Sequence, residues 1–157
     1  MKKILELEDE IKKIIEEETK EISLTKMDQE EEKEVLDKMQ IFVGGLPRED
    51  LDTLAPCAIV TTLKGQNNLQ EKRLNTVVSI AIYNKDTRKG YEEICELIGK
   101  ITEAIVEKGV LLDEFEILPD YSWALPEVQP YPIHGADITF NILARNDYRR
   151  DADIWED

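Results

Sequence analysis

Between Ala136 and Ala144 apolar and polar positions alternate. Ala136, Ile138, Phe140, Ile142 and Ala144 point one way; Asp137, Thr139, Asn141 and Leu143 point the other. That two-residue period predicts a strand with one face on a core. Near the N-terminus the period changes. Ile4, Leu7, Ile11, Ile14, Ile15 and Ile22 recur at helical spacing among acids and lysines, which predicts an amphipathic helix over residues 4–22. Its apolar stripe is narrow, so packing on its own domain is preferred to a seam with another subunit. Residues 25–38 are almost wholly polar, and Asp28-Gln29-Glu30-Glu31-Glu32-Lys33-Glu34 reads as a solvated helix extension or loop.

Ile41-Phe42-Val43 reads as a short strand ended by Gly44-Gly45-Leu46-Pro47. A charged connection over 48–56 follows. Cys57–Leu63 forms a second strand, and Lys64-Gly65-Gln66-Asn67-Asn68 has the composition of a turn. Asn75–Tyr83 forms a third strand, apolar on both faces and so suited to a central position. The polar stretch between these two strands predicts a long hairpin with a projecting tip. Tyr91, Ile94, Leu97, Ile98, Ile101, Ile105 and Val106 trace the broad face of a strong helix that stops at Gly109. Glu114–Leu118 alternates as a half-exposed strand, Pro119-Asp120 breaks it, and Tyr121–Ala124 resumes pairing beyond a bulge or bend. Then come three prolines, at 126, 130 and 132, with Trp123 and Tyr131 close by; proline removes donors and fixes φ, so this is an extended loop rather than a helix. The order α, β, β, β, α, β, β with hairpin-length links gives an α+β fold: a mainly antiparallel sheet flanked by helices.

The chain has 157 residues, enough for one domain with a sizeable core. Its 20 basic and 35 acidic side chains leave a net charge of −15. That balance opposes tight binding of duplex DNA, which needs clustered Lys and Arg. The two cysteines, Cys57 and Cys95, have no metal-knuckle spacing and read as free thiols of a reducing, intracellular setting. Met1-Lys2-Lys3 leads into an acid-rich helix rather than the apolar core of a signal peptide. No apolar run approaches the ~20 residues of a membrane span.

Candidate chemistry is sparse. The one histidine, His134, lies in the proline-rich loop without an assignable Ser-His-Asp or Cys-His set, so it is expected to be structural or solvated. HExxH, CxxC, GxSxG and glycine-rich phosphate loops are absent. Pro119-Asp120 followed by Glu127-Val128-Gln129 approaches a metal-nuclease pattern, but Gln129 stands where a lysine would be needed. No catalytic residue, cofactor or metal is therefore expected. Trp123 and Tyr131 lack the surrounding cations of a base-stacking platform, being flanked by Asp120, Glu127 and Asp137; core packing or a protein contact suits them better.

Several pieces, in order, resemble the bacteriophage and prophage tail-terminator, or tail-completion, proteins of the head–tail neck. They are Ile41-Phe42-Val43-Gly44-Gly45-Leu46-Pro47; Ala55-Pro56-Cys57-Ala58-Ile59-Val60; Val77–Tyr83; Gly90-Tyr91 opening a helix; and Trp123 with Gln129-Pro130-Tyr131-Pro132 and Gly135 before the last strand. The resemblance spans roughly residues 40–145, the bulk of a domain. It implies a tail-terminator-like α+β fold and a homo-oligomeric, typically hexameric ring. That ring caps the tail tube, meets the tail-tube protein and the head-completion or connector protein, and carries no catalytic residues. It further implies assembly in the host cytoplasm and residence in the virion neck. The corresponding layout is an N-terminal helix and acidic connection (1–38), the α+β domain (39–146) and a polar tail (147–157). Candidate contacts are Gly65, Gln66, Asn67 and Asn68 at the hairpin tip, and Trp123 and Tyr131 in the aromatic-proline loop. The alternative is a small enzyme or ligand-binding domain acting through the Trp123–His134 loop; a third reading is a nucleic-acid mimic built on the acidic N-terminal helix.

Overall fold

The computed structural model describes residues 2–28, 30–45, 51–69 and 71–145. The polar tail at 147–157 and the Leu46-Pro47 end of the first expected strand lie outside these residues. Among those described, the elements are α1 (Lys2–Thr19), β1 (Leu24–Asp28), β2 (Lys33–Asp37), β3 (Gln40–Val43), α2 (Leu51–Leu54), β4 (Cys57–Asn67), β5 (Glu71–Tyr83), α3 (Thr87–Lys108), β6 (Val110–Leu111), β7 (Phe115–Ala124) and β8 (Ile133–Arg145). The fold is α+β. A six-stranded sheet has the order β3-β4-β5-β8-β7-β6, and β1-β2 form a separate two-stranded sheet. Every pairing is antiparallel except β3 on β4.

The period-2 pattern of β8 sets the main core. Ala136, Ile138, Phe140, Ile142 and Ala144 are all buried, and they share one cluster with Leu74, Val78, Ile80 and Ile82 of β5 and with the apolar stripes of α1 and α3. On α3 these are Ile94, Leu97, Ile98, Ile101 and Ile105; on α1 they are Leu7, Ile11, Ile14 and Ile15. The narrow stripe of α1 thus packs on its own chain. Asp86 caps α3 by accepting from Lys89 N at 3.1 Å. Gly109 ends it at φ 72 while its N–H bonds Val106 O, a left-handed geometry that favours glycine.

A smaller core occupies the opposite face at one end of the sheet. Cys57, Ala81, Tyr83 and Ile133 alternate with the residues of the main core and gather with Leu54 and Ala55, and Met27 and Phe42 pack against them. This core corrects the reading of residues 25–38. The segment is a β-hairpin laid against β5 rather than a solvated helix or loop. Leu24 is buried and Met27 is partly so, while β2 shows only Val35 partly covered. Two further expectations change. Gly65, Gln66 and Asn67 are strand residues paired with Leu74, Arg73 and Lys72; the turn itself begins at Asn68. Pro119-Asp120 does not break β7, because the extra residues form a bulge between Ile117 and Tyr121 in a margin strand, where a missing donor is tolerated.

Candidate interaction surfaces

The two expected contact surfaces stand at opposite ends of the sheet. The β4–β5 pair runs from Cys57 and Tyr83 at one end to Asn67 and Glu71 at the other, and thirteen strand residues span about 40 Å. At the tip Asn68 organises the turn: its N–H donates to Glu71 O at 3.0 Å, and its Oδ1 accepts from Glu71 N at 2.8 Å. Leu69 beside it is exposed. Gly65 is constrained as well as extended, since a Cβ there would stand 3.3 Å from Leu74 Cδ2.

Below the tip, on the sheet face away from α1 and α3, the β7 bulge opens a cleft of 280 Å³ whose lining includes Lys64, Gly65, Asn75, Leu118, Asp120 and Asn141. Asn75 Nδ2 donates to Asn141 Oδ1 at 2.6 Å, and Asn141 Nδ2 donates to Asp120 O at 3.1 Å. Asn141 therefore satisfies a carbonyl of the bulge and fixes its shape. The cleft brings Gly65 and Gln66 to the same wall as β7, a proximity across 50 residues of chain that local pattern does not encode.

The other end is built by the aromatic-proline loop. Gln129 closes it from inside: Oε1 accepts from Gly135 N at 2.8 Å, and Nε2 donates to Gly135 O at 3.3 Å. Asn84 N donates to Pro132 O at 3.0 Å, and Tyr131 Oη donates to Lys85 O at 3.1 Å. Tyr131 is thereby pinned by its hydroxyl while the residue stays 62 % exposed. Val128, in the same loop, is the most exposed large apolar side chain among the described residues. Tyr131 is a presented aromatic, not a core one.

Trp123 belongs to a different surface. It lies in β7, paired with Ile138, and is 53 % exposed. Tyr121, two residues earlier, pairs with Phe140 and packs its ring 6.1 Å from that of Phe140. Trp123 and Tyr131, grouped in one loop by the sequence pattern, thus belong to a sheet margin and a sheet end.

His134 lies in β8 rather than in the loop and is 4 % exposed. Its Nε2 is 3.0 Å from Asn84 O, and the backbone of Gly90 in the first turn of α3 closes over its ring. The alternative of acid–base work through this loop requires His134 in a cleft beside a carboxylate; its bonded partner is a backbone carbonyl and its other neighbour is a helix. Cys57 is buried, and desolvation pushes its thiol up to about 11, with Lys26 a smaller opposing influence. Cys95 is exposed on α3. Among the described residues no three His, Cys, Asp or Glu side chains are grouped to hold a metal ion, and no helix is long and apolar enough to cross a membrane.

A buried carboxylate escaped the sequence reading. Glu8 of α1 is 4 % exposed and accepts from Thr62 N at 2.7 Å. Val60 O already accepts from Gly44 N, so Thr62, in the same phase, turns its amide to the side that β3 no longer covers. Glu8 takes over where β3 ends. An acid at the second turn of an acid-rich helix carries no signal that would single it out.

No protein-family model and no curated protein matches the chain.

Proposed function

We propose that the chain is a structural protein of a phage or prophage virion neck, joining a ring of identical subunits to the tail tube on one side and to the head connector on the other. The observation that carries this reading is that two candidate contact surfaces lie at opposite ends of one long strand pair. The polar tip at Asn68–Leu69 stands at one end, and the pinned, exposed Tyr131 stands at the other. A protein that bridges two partners needs two separated faces, and rigid aromatics make good anchors because they lose little entropy on binding. Several of the pieces that carry the family resemblance lie near one another. Ala55, Cys57 and Tyr83 belong to the small core, and Tyr131 and Pro132 bond the backbone of Lys85 and Asn84 just beyond Tyr83.

The acidic balance supports the same reading. A ring through which DNA passes gains from repelling phosphates. The function rests on surfaces, so no turnover is assigned to the chain. Purified tail-tube protein, mixed with this chain and followed by light scattering and electron microscopy, tests the proposal. Tubes of limited length with terminal rings are expected, and Tyr131→Ala or replacement of Asn68 and Leu69 by glycine should impair capping. Tubes that neither bind the chain nor change in length would overturn it.

A further inference from the structure

The sheet ends on a free margin at β7. The short strand β6 covers only its first residues, pairing Val110 with Glu116 and Leu111 with Phe115. The last bond across that margin is Ile117 N to Gly109 O, 2.7 Å. Beyond it no strand of the described residues lies beside β7, and residues 119–124 are exposed. Such a margin offers a row of backbone donors and acceptors to another strand.

The phase of that row is legible. Ile117 turns its amide away from β8 and toward Gly109. Ile117 pairs with Ile142, and Tyr121 pairs with Phe140, two residues along β8. Positions two apart on β8 share a phase, so the amide and carbonyl of Tyr121 also turn outward, and so do those of Trp123, paired with Ile138. Ser122 turns its own inward. The side chains of Tyr121 and Trp123 lie on the same side of the sheet as Ile117 and are 40 % and 53 % exposed.

We infer that this margin pairs with itself in a second copy of the chain, β7 against β7, antiparallel about a two-fold axis at Ser122. In that register Tyr121 stands opposite Trp123 of the partner subunit, and both are outward-phase residues. They exchange two backbone hydrogen bonds, and symmetry repeats the pair on the other side of the axis. Each exposed tyrosine then meets a tryptophan across the strands, a favourable pairing for aromatics. Charge favours the same register. In a chain of net charge −15, residues 121–126 carry no ionisable acid or base apart from the tyrosine hydroxyl. Asp120 falls opposite Ala124 of the partner subunit, so no two carboxylates face each other. The contact is isologous and separate from the heterologous joints of a ring; it stands or falls independently of the proposed function. The pairing window is short against the area of stable interfaces, so the dimer is weak and dependent on concentration.

Two measurements test it. Sedimentation from about 1 µM to about 1 mM protein, at about 0.3 M salt to screen the net charge, should show a reversible monomer–dimer equilibrium. Trp123→Glu, at an exposed position, should keep the circular dichroism of the parent and weaken the dimer at least tenfold. Cross-linking fixes the register. In a Cys95→Ser background, Ser122→Cys sits on the two-fold axis at a non-hydrogen-bonded pair, with Cα atoms about 4.5 Å apart, within disulfide reach. Ala124→Cys is displaced from its own copy by four residues, about 13 Å. Mild oxidation should link the first variant much faster than the second. A monomer at every concentration, a dimer indifferent to Trp123→Glu, or equal cross-linking of the two cysteine variants would each overturn the inference.

Discussion

Gly90 and His134 are packed so closely that a Cβ on residue 90 would lie 2.3 Å from His134 Nε2 and 2.4 Å from Cδ2. The helix can therefore approach the sheet here only with a glycine, and the ring bonded to Asn84 O fills the space. Gly90→Ala gains helix propensity but forces ring or helix to move, and the clash should dominate at about 1–3 kcal/mol of lost stability. His134→Ala should itself cost about 1–3 kcal/mol, since it empties a buried site and leaves the Asn84 carbonyl without its partner. The double variant should be far less destabilised than the sum, because removing the ring removes the clash. Urea melts of the four proteins read this directly, and strict additivity would refute the packing described.

Glu8 should matter for the sheet rather than for solubility. Glu8→Ala leaves the Thr62 amide without its acceptor beneath the packed face of α1 and should cost about 1–3 kcal/mol, whereas Glu8→Gln keeps an acceptor oxygen and should cost less. Thermal melts that cannot separate the two substitutions would mean that the carboxylate is not what ends the β3 side of β4.

Much of this architecture is legible in the sequence because burial on one face leaves a period. Ile138, Phe140 and Ile142 declare β8, and Ile94, Leu97, Ile98 and Ile101 declare α3. The β1–β2 hairpin is not legible, since Thr25, Lys26, Glu34 and Leu36 show no consistent buried side: Leu24 joins the main core, Met27 packs on the small one, and the rest of the hairpin is at most partly buried. Gly65, Gln66 and Asn67 have turn composition yet run extended, because Arg73 and Leu74 across the ladder hold them. Pro119 misleads in the same way, being tolerated at a bulge of a margin strand. The surroundings of Tyr131 and His134 are set by Lys85, Asn84 and Gly90, more than forty positions away, which no local pattern encodes.

The helix face of α3 carries a direct test of the main core. Ile98 is 6 % exposed and Ile101 fully buried. Truncation of either to alanine should cost about 2–5 kcal/mol, with Ile101 the more costly because nothing at its site reaches solvent. Denaturant midpoints unchanged within error for both would contradict the packing of α3 on the sheet.

Cys57 should make the fold sensitive to base. Its folded pKa, about 11, stands above the ordinary thiol value of 9.0, so the native state holds its proton over a range where the unfolded chain releases it. This stabilisation is fully present below pH 9 and is lost as pH rises through about 11. Cys57→Ala should flatten that part of the stability curve. Under native conditions a thiol reagent should modify exposed Cys95 promptly and Cys57 only as the protein opens; equal rates for both would contradict the burial of Cys57.

Duplex DNA should not bind at moderate salt. Sequence-independent affinity comes from pairing Lys and Arg with phosphates and falls steeply as salt rises. Here 35 acids oppose 20 bases, and several of the bases are already engaged. Arg73 pairs with Glu71 at 2.8 Å and Arg88 with Glu92 at 2.9 Å. The densest basic stretch in the sequence, Arg145 with Arg149-Arg150, is interleaved with Asp147 and Asp151. Fluorescence anisotropy with a labelled duplex should therefore stay flat at about 0.15 M salt, where charges more than about 8 Å apart are screened. Micromolar binding that survives this salt would require a cationic face that the chain gathers only on assembly. It would also remove the case for a lumen that repels the DNA passing through it.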